Sequence, residues 1–154
     1  KKYDALKSLE KLEMKMYKAV NRLKEGLKLA KKYERDLDNL DSIRYRSEIK
    51  LCQNIQDSIN VLLDHFFGKK DERQGIIMHS DKTLMSRYSQ AYSYTSNASH
   101  APKSTENNLI SKFETVLFQV LDNINKFYEK DWPNFRTTIE QLSLNPFKDY
   151  KKIE

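Results

Sequence analysis

Glycine and proline are scarce, with 3 of each in 154 residues. A sandwich or barrel of short strands needs turn residues at intervals of roughly 8–12 positions, and this chain cannot supply them. Its single cysteine, Cys52, leaves no internal disulfide. That argues against a small disulfide-stapled scaffold, though not against an exported helical protein. No apolar run reaches the ~18 residues of a membrane span, and no secretory signal precedes the first amphipathic residues. An initiating methionine is also lacking before Lys1-Lys2, which suggests a processed chain or a piece of a larger one. Equally absent are a Gly-rich phosphate loop, a Gly-x-Ser-x-Gly elbow and a His-Glu-x-x-His helix. The expectation is therefore of no catalytic, metal or cofactor site.

What the chain has is helical periodicity. Charged residues make up 32% and hydrophobic ones 38%, too much patterned apolar content for disorder. Leu6, Leu9, Leu12, Met16, Val20, Leu23, Leu27, Ala30, Tyr33, Leu37 and Leu40 recur at steps of three or four, which predicts one long helix. After the corner Asn39-Leu40-Asp41-Ser42, the series Tyr45, Ile49, Cys52, Ile55, Ile59, Leu62 and Phe66 predicts a second, running back and ending at Gly68. A third seam, Leu109, Phe113, Val116, Val120, Ile124 and Phe127, follows Pro102, with Ser104 or Thr105 placed to accept from first-turn amides.

Between them, residues 69–103 read as an irregular polar insertion. It contains one shorter helix, capped by Ser80-Asp81 and carrying Leu84, Tyr88 and Tyr92 on one face. Tyr88, Tyr92 and Tyr94 are expected to pack rather than to form a binding surface.

Near the end, Trp132 precedes Pro133. Proline lacks an amide hydrogen and disfavours α conformation in the residue before it, so the third long helix is expected to stop near Lys130. A short helix carrying Phe135, Ile139 and Leu142 would follow, with Asp131 as its cap and Pro133 in its first turn. Trp132 would plug the corner. The expected fold is all-α, a single domain over 1–154: an antiparallel bundle of four to five helices, with a short C-terminal helix after a Trp-Pro corner.

These last residues also carry a resemblance. The run EKDWPNFRTTIEQLSLNPFKDYKKIE resembles the extreme C-terminus of bacterial sortilin-like proteins, large exported proteins whose sialidase-type β-propeller repeats are followed by a helical domain. The matching features are a helix of the type Leu117 to Tyr128, then Asp131-Trp132-Pro133, Phe135, and a closing Phe147 and Tyr150. Ala101-Pro102-Lys-Ser-Thr105 resembles the Pro-Thr opening of that family's penultimate helix, and Lys1 to Leu40 is similar in type. The propeller's Asp-box repeats have no counterpart in these residues. The resemblance implies a non-catalytic interaction or structural domain at the C-terminal end of an exported protein, in the periplasm or at the cell surface. Its partner would be an upstream β-propeller or another protein, with Trp132, Phe147 and Tyr150 as candidate interdomain contacts.

Isolated chemical candidates reduce to ordinary roles. Asp36, Asp38 and Asp41 approximate a calcium loop, but Leu40 holds the third ligand position and the turn glycine is missing. They read as an acidic helix end, which opposes the helix dipole and suggests a further constraint. His65 beside Asp64 lacks a nucleophile, His79 and His100 stand alone, and Cys52 lies on an apolar seam as a small hydrophobe. Asn97-Ala-Ser99 matches the glycosylation sequon.

Charge raises the alternative. The net charge is +6, and Lys7, Lys11, Lys15, Lys18 and Arg22 form a stripe that could bind nucleic acid non-specifically. Glu10, Glu13 and Glu25 dilute it, and lysine stems commonly cover the edge of a core, so nucleic acid and an anionic membrane surface are both disfavoured.

Overall fold

The computed structural model describes residues 1–69, 83–142, 144 and 152–153, and among these it is all-helical. Four helices form the bundle: α1 (Lys2–Asp41), α2 (Arg46–Phe67), α3 (Leu84–Asn97) and α4 (Ser104–Glu140). At 1.5 Å per residue, α1 and α4 are rods of roughly 55–60 Å. No helix among the described residues is long and apolar enough to cross a membrane.

Side-chain pairings fix the directions. Gln53 Nε2 donates to Glu34 at 3.0 Å, Gln56 donates to the same carboxylate, and Ile59 lies over Gly26, so α2 runs antiparallel to the C-terminal half of α1. Lys2 Nζ donates to the carbonyls of Ser96 and Ala98 at 2.8 and 2.6 Å, while Tyr88 hydrogen-bonds Glu13, so α3 runs antiparallel to the N-terminal half. α2 and α3 thus follow one another along α1 as an interrupted third column. The long helices pair differently. Lys15 lies over Phe118, Arg22 over Tyr128, and Gly26 against Trp132, which makes α1 and α4 parallel to each other. The expected antiparallel arrangement therefore holds for the neighbours α1–α2, α1–α3 and α3–α4 but not for the two longest helices.

The local devices are legible in the chain. The α1–α2 corner is made by Asp41, whose Oδ1 accepts from the amides of Ile43 and Arg44 at 3.1 and 2.9 Å. This is the constraint that outweighs the unfavourable charge at that helix end. Gly68 closes α2 at φ 81°, with its N–H donating to Asp64 O at 2.8 Å, a positive-φ position suited to glycine. Thr83 caps α3 by accepting from the Ser86 amide at 3.1 Å, a contact worth about 1 kcal/mol. Ser80-Asp81, expected in that role, lie outside the described residues. At α4 the cap is neither Ser104 nor Thr105: Glu106 reaches back, and its Oε2 accepts from the Lys103 amide at 2.8 Å. Hydrogen bonds to the carboxylate from its own backbone amide and then from that of Lys103, with smaller contributions from the nearby His100 and Lys103 charges, hold the Glu106 pKa below its ordinary value.

The Trp-Pro corner is absent. α4 passes through Pro133 without interruption, so Asp131 caps nothing and Phe135 and Ile139 belong to the same helix as Phe127. The reason is register. Phe113, Leu117, Val120, Ile124, Phe127, Phe135 and Ile139 are all buried at helical intervals on both sides of the proline. Burying Phe135 and Ile139 offsets the bond that Pro133 removes. Pro133 itself is exposed, as is Glu129, whose carbonyl loses its partner, so water can take that place.

Candidate interaction site

Among the residues singled out from the sequence, Trp132 has the richest surroundings. It is half-buried, with its ring 6.3 Å from Phe127, 5.5 Å from Tyr128 and 5.2 Å from Phe135. Tyr128 Oη donates to Arg22 O at 2.9 Å, tying α4 to α1. Burial pushes its phenol up to about 12, with the Arg22 charge pulling the other way.

This aromatic group rests on Gly26, a residue that the periodicity does not mark. A Cβ there would lie 3.1 Å from Tyr128 Oη and 3.3 Å from both Ile59 Cδ1 and Trp132 Cζ3. The glycine therefore lets two columns approach α1 at one point, and its place inside the seam between Leu23 and Leu27 was the available signal. Gly26→Ala is expected to lower stability by about 1 kcal/mol in denaturant melts, although at an open helical site the same change gains about that much. The crowding prevails because Tyr128 is held by the Arg22 carbonyl and by its ring neighbours. An increase in stability would show that the aromatic group yields easily.

Beyond Trp132, the α1–α4 interface opens into a cleft of about 290 Å³ lined by Leu29, Tyr33, Trp132, Phe135, Ile139 and the Arg136–Glu140 pair. Arg136 Nε and Glu140 Oε1 are 2.7 Å apart at the exposed lip. Leu29 is 38% exposed, unusual for a leucine bordering a core. The volume falls at the small end of ligand pockets, and the lining offers no converging buried polar groups. Such a cleft suits one or two apolar side chains of a polypeptide. Leu142 and Leu144 also pack against the core as the chain leaves α4, whereas Phe147 and Tyr150 lie outside the described residues.

The structure does not gather the other candidates into a site. Cys52 is fully buried; burial, together with the charge of Glu34 and Glu48, pushes its thiol up to about 11 and keeps it protonated. His65 is exposed on α2, His100 lies exposed with Nδ1 2.8 Å from Ala101 O, and His79 lies outside the described residues. Among the described residues no group of three His, Cys, Asp or Glu side chains could hold a metal ion. Tyr88 packs against Phe113 at 5.7 Å, and burial with its bond to Glu13 raises its pKa, while Tyr92 and Tyr94 remain exposed. Asn97 is exposed at the end of α3. Of the basic stripe, Lys15 and Arg22 lie over the rings of Phe118 and Tyr128, at 5.2 and 6.0 Å.

Fold and surface together define an all-α helical bundle with an apolar cleft at one end. Comparison with protein-family models, with curated proteins and with solved structures finds no match.

Proposed function

We propose that the chain is a non-catalytic interaction and structural domain, carried at the C-terminal end of an exported β-propeller protein and working outside the cytoplasm. The observation that carries this reading is the cleft. It pairs a half-exposed Leu29 with Trp132 at the end of the bundle where the chain leaves α4, and its chemistry suits apolar side chains from a polypeptide neighbour. The resemblance of residues 129–154 to the end of sortilin-like proteins supplies the neighbour's identity, an upstream propeller. Trp132 at the cleft, with Phe147 and Tyr150 beyond it, would make the contact.

Two measurements test this. The reading frame before Lys1 should encode Asp-box propeller repeats and a signal peptide; a start codon beside Lys1 would sink the proposal. A separately produced upstream propeller should bind the chain saturably in calorimetry. Leu29→Asp, or truncation after Leu144, should weaken that binding about tenfold, the equivalent of 1.4 kcal/mol. Unchanged affinity in both variants would mean that the contact lies elsewhere.

A further inference from the structure

The second half of α1 carries a feature that this reading does not use. Lys24, Lys28, Lys31 and Arg35 follow at steps of four, three and four, which puts them on one face over roughly 17 Å. Together with half-buried Leu27 they line an open groove of about 400 Å³ that contains no acidic residue. Phe67, 39% exposed at the end of α2, lies beside it with the Lys24 ammonium 5.4 Å from its ring.

This face differs from the stripe read in the sequence. There, Lys15 and Arg22 sit over aromatic rings of α4 and do not converge on one groove. Here the four cations are exposed, and among the described residues none joins an ion pair within 4 Å. Neighbours of like charge three and four apart on a helix repel one another; Glu25, Glu34 and Asp38, each three positions from one of these cations, offset that in part, but none of them lines the groove. An anionic partner would relieve that repulsion.

We infer that the Lys24–Arg35 groove docks an acidic, amphipathic polypeptide segment of another protein. Its carboxylates would meet Lys24, Lys28, Lys31 and Arg35, and its aliphatic side chains would cover Leu27 and Phe67. The two apolar residues decide between anions. A phosphodiester backbone would use the cations but has nothing apolar to set against Leu27, whereas a helix with leucines at i and i+4 among glutamates matches both features. The inference rests on the interaction-domain reading. It is tested on a different flank of α1, so the groove can fail while the Leu29–Trp132 cleft stands, and the reverse.

The probe is a labelled synthetic peptide of roughly 18 residues, long enough as a helix to cover the groove, with leucines spaced i, i+4 among glutamates. Titrated with the full 154-residue chain in fluorescence anisotropy, it should bind saturably and more weakly as salt rises. The double change Lys28→Glu with Lys31→Glu should weaken binding about tenfold, whereas Lys11→Glu with Lys18→Glu should change it less than about twofold. Replacing the peptide's leucines by serine should also weaken it severalfold. Circular dichroism of both double variants confirms that the helices are intact. Equal losses from the two double variants, or a serine peptide that binds as well as its parent, would reduce the groove to generic positive charge and overturn the inference. So would a duplex DNA of about 20 base pairs binding below micromolar, tighter than the ~10⁻⁴ to 10⁻⁶ M of non-specific attraction, and released by the Lys28/Lys31 change.

Discussion

Phe113→Ala is expected to cost about 3–5 kcal/mol, more than the truncation of any half-exposed aromatic in the bundle. The side chain is fully buried, and its ring lies 5.7 Å from Tyr88, which itself reaches Glu13 on α1. Phe113 therefore sits where α1, α3 and α4 meet, and its removal would leave a cavity lined by all three. The loss is a large share of the ~5–15 kcal/mol by which such a domain is stable. Trp132→Ala should cost less, roughly 2 kcal/mol, because the indole is half-exposed and already borders a cleft. Urea melts of both variants order the two. A Phe113→Ala protein as stable as the parent would mean that α3 contributes little to the fold.

Pro133→Ala should act in the opposite sense. A proline inside a helix costs about 3 kcal/mol through the missing amide and the clash with the carbonyl four residues before. Its restriction of the unfolded chain returns roughly 0.4–1 kcal/mol of that. Alanine restores a donor for the Glu129 carbonyl in a helix whose register is already continuous from Phe127 to Ile139. The expected gain is about 2 kcal/mol, which for a chain of this size raises the melting temperature by about 4–8 °C. A loss of stability instead would mean that the proline ends the helix after all.

That pair of residues also marks where the sequence could be read and where it misled. The apolar periods of α1, α2 and most of α4 were visible because each helix buries a face at steps of three and four, and Gly68 announced the end of α2. The corner at Trp132-Pro133 followed from a local rule about proline, and tertiary packing overrode it. Phe135 and Ile139 continued the spacing of Phe127, and a helix interrupted there had no need to keep that register. Directions were harder. Nothing in the periodicity of α1 and α4 distinguishes parallel from antiparallel, because their relation depends on how α2 and α3 share one column between them. Trp132 stands out as the one tryptophan, but its companions lie about a hundred positions earlier: Tyr33 reads as an ordinary member of the α1 seam, and Leu29 falls outside that seam. The Lys24–Arg35 groove is hidden for a related reason: its cations alternate with Glu25, Glu34 and Asp38 along the chain, and only the folded helix shows that no acidic side chain lines the groove itself.

The interrupted column divides the molecule into two storeys. The lower one, built on α2, is stacked with Cys52, Ile55, Ile59, Leu62 and Phe66, while the upper one rests on Leu84, Ala91 and Thr95 of α3, with the Thr95 hydroxyl buried and unpaired. That upper floor buries fewer large side chains than α2 does, with Tyr88 on Phe113 as its main aromatic contact and Lys2 as a latch at its far edge, so it is the weaker one. Among the four helices, amide hydrogen exchange should therefore be fastest across 84–97 and slow along 52–66, with α1 and α4 each changing pace partway along their length. Helices that exchange slowly at one end and fast at the other would work as a built-in joint, with the bundle splaying around its upper storey while its lower storey keeps its shape.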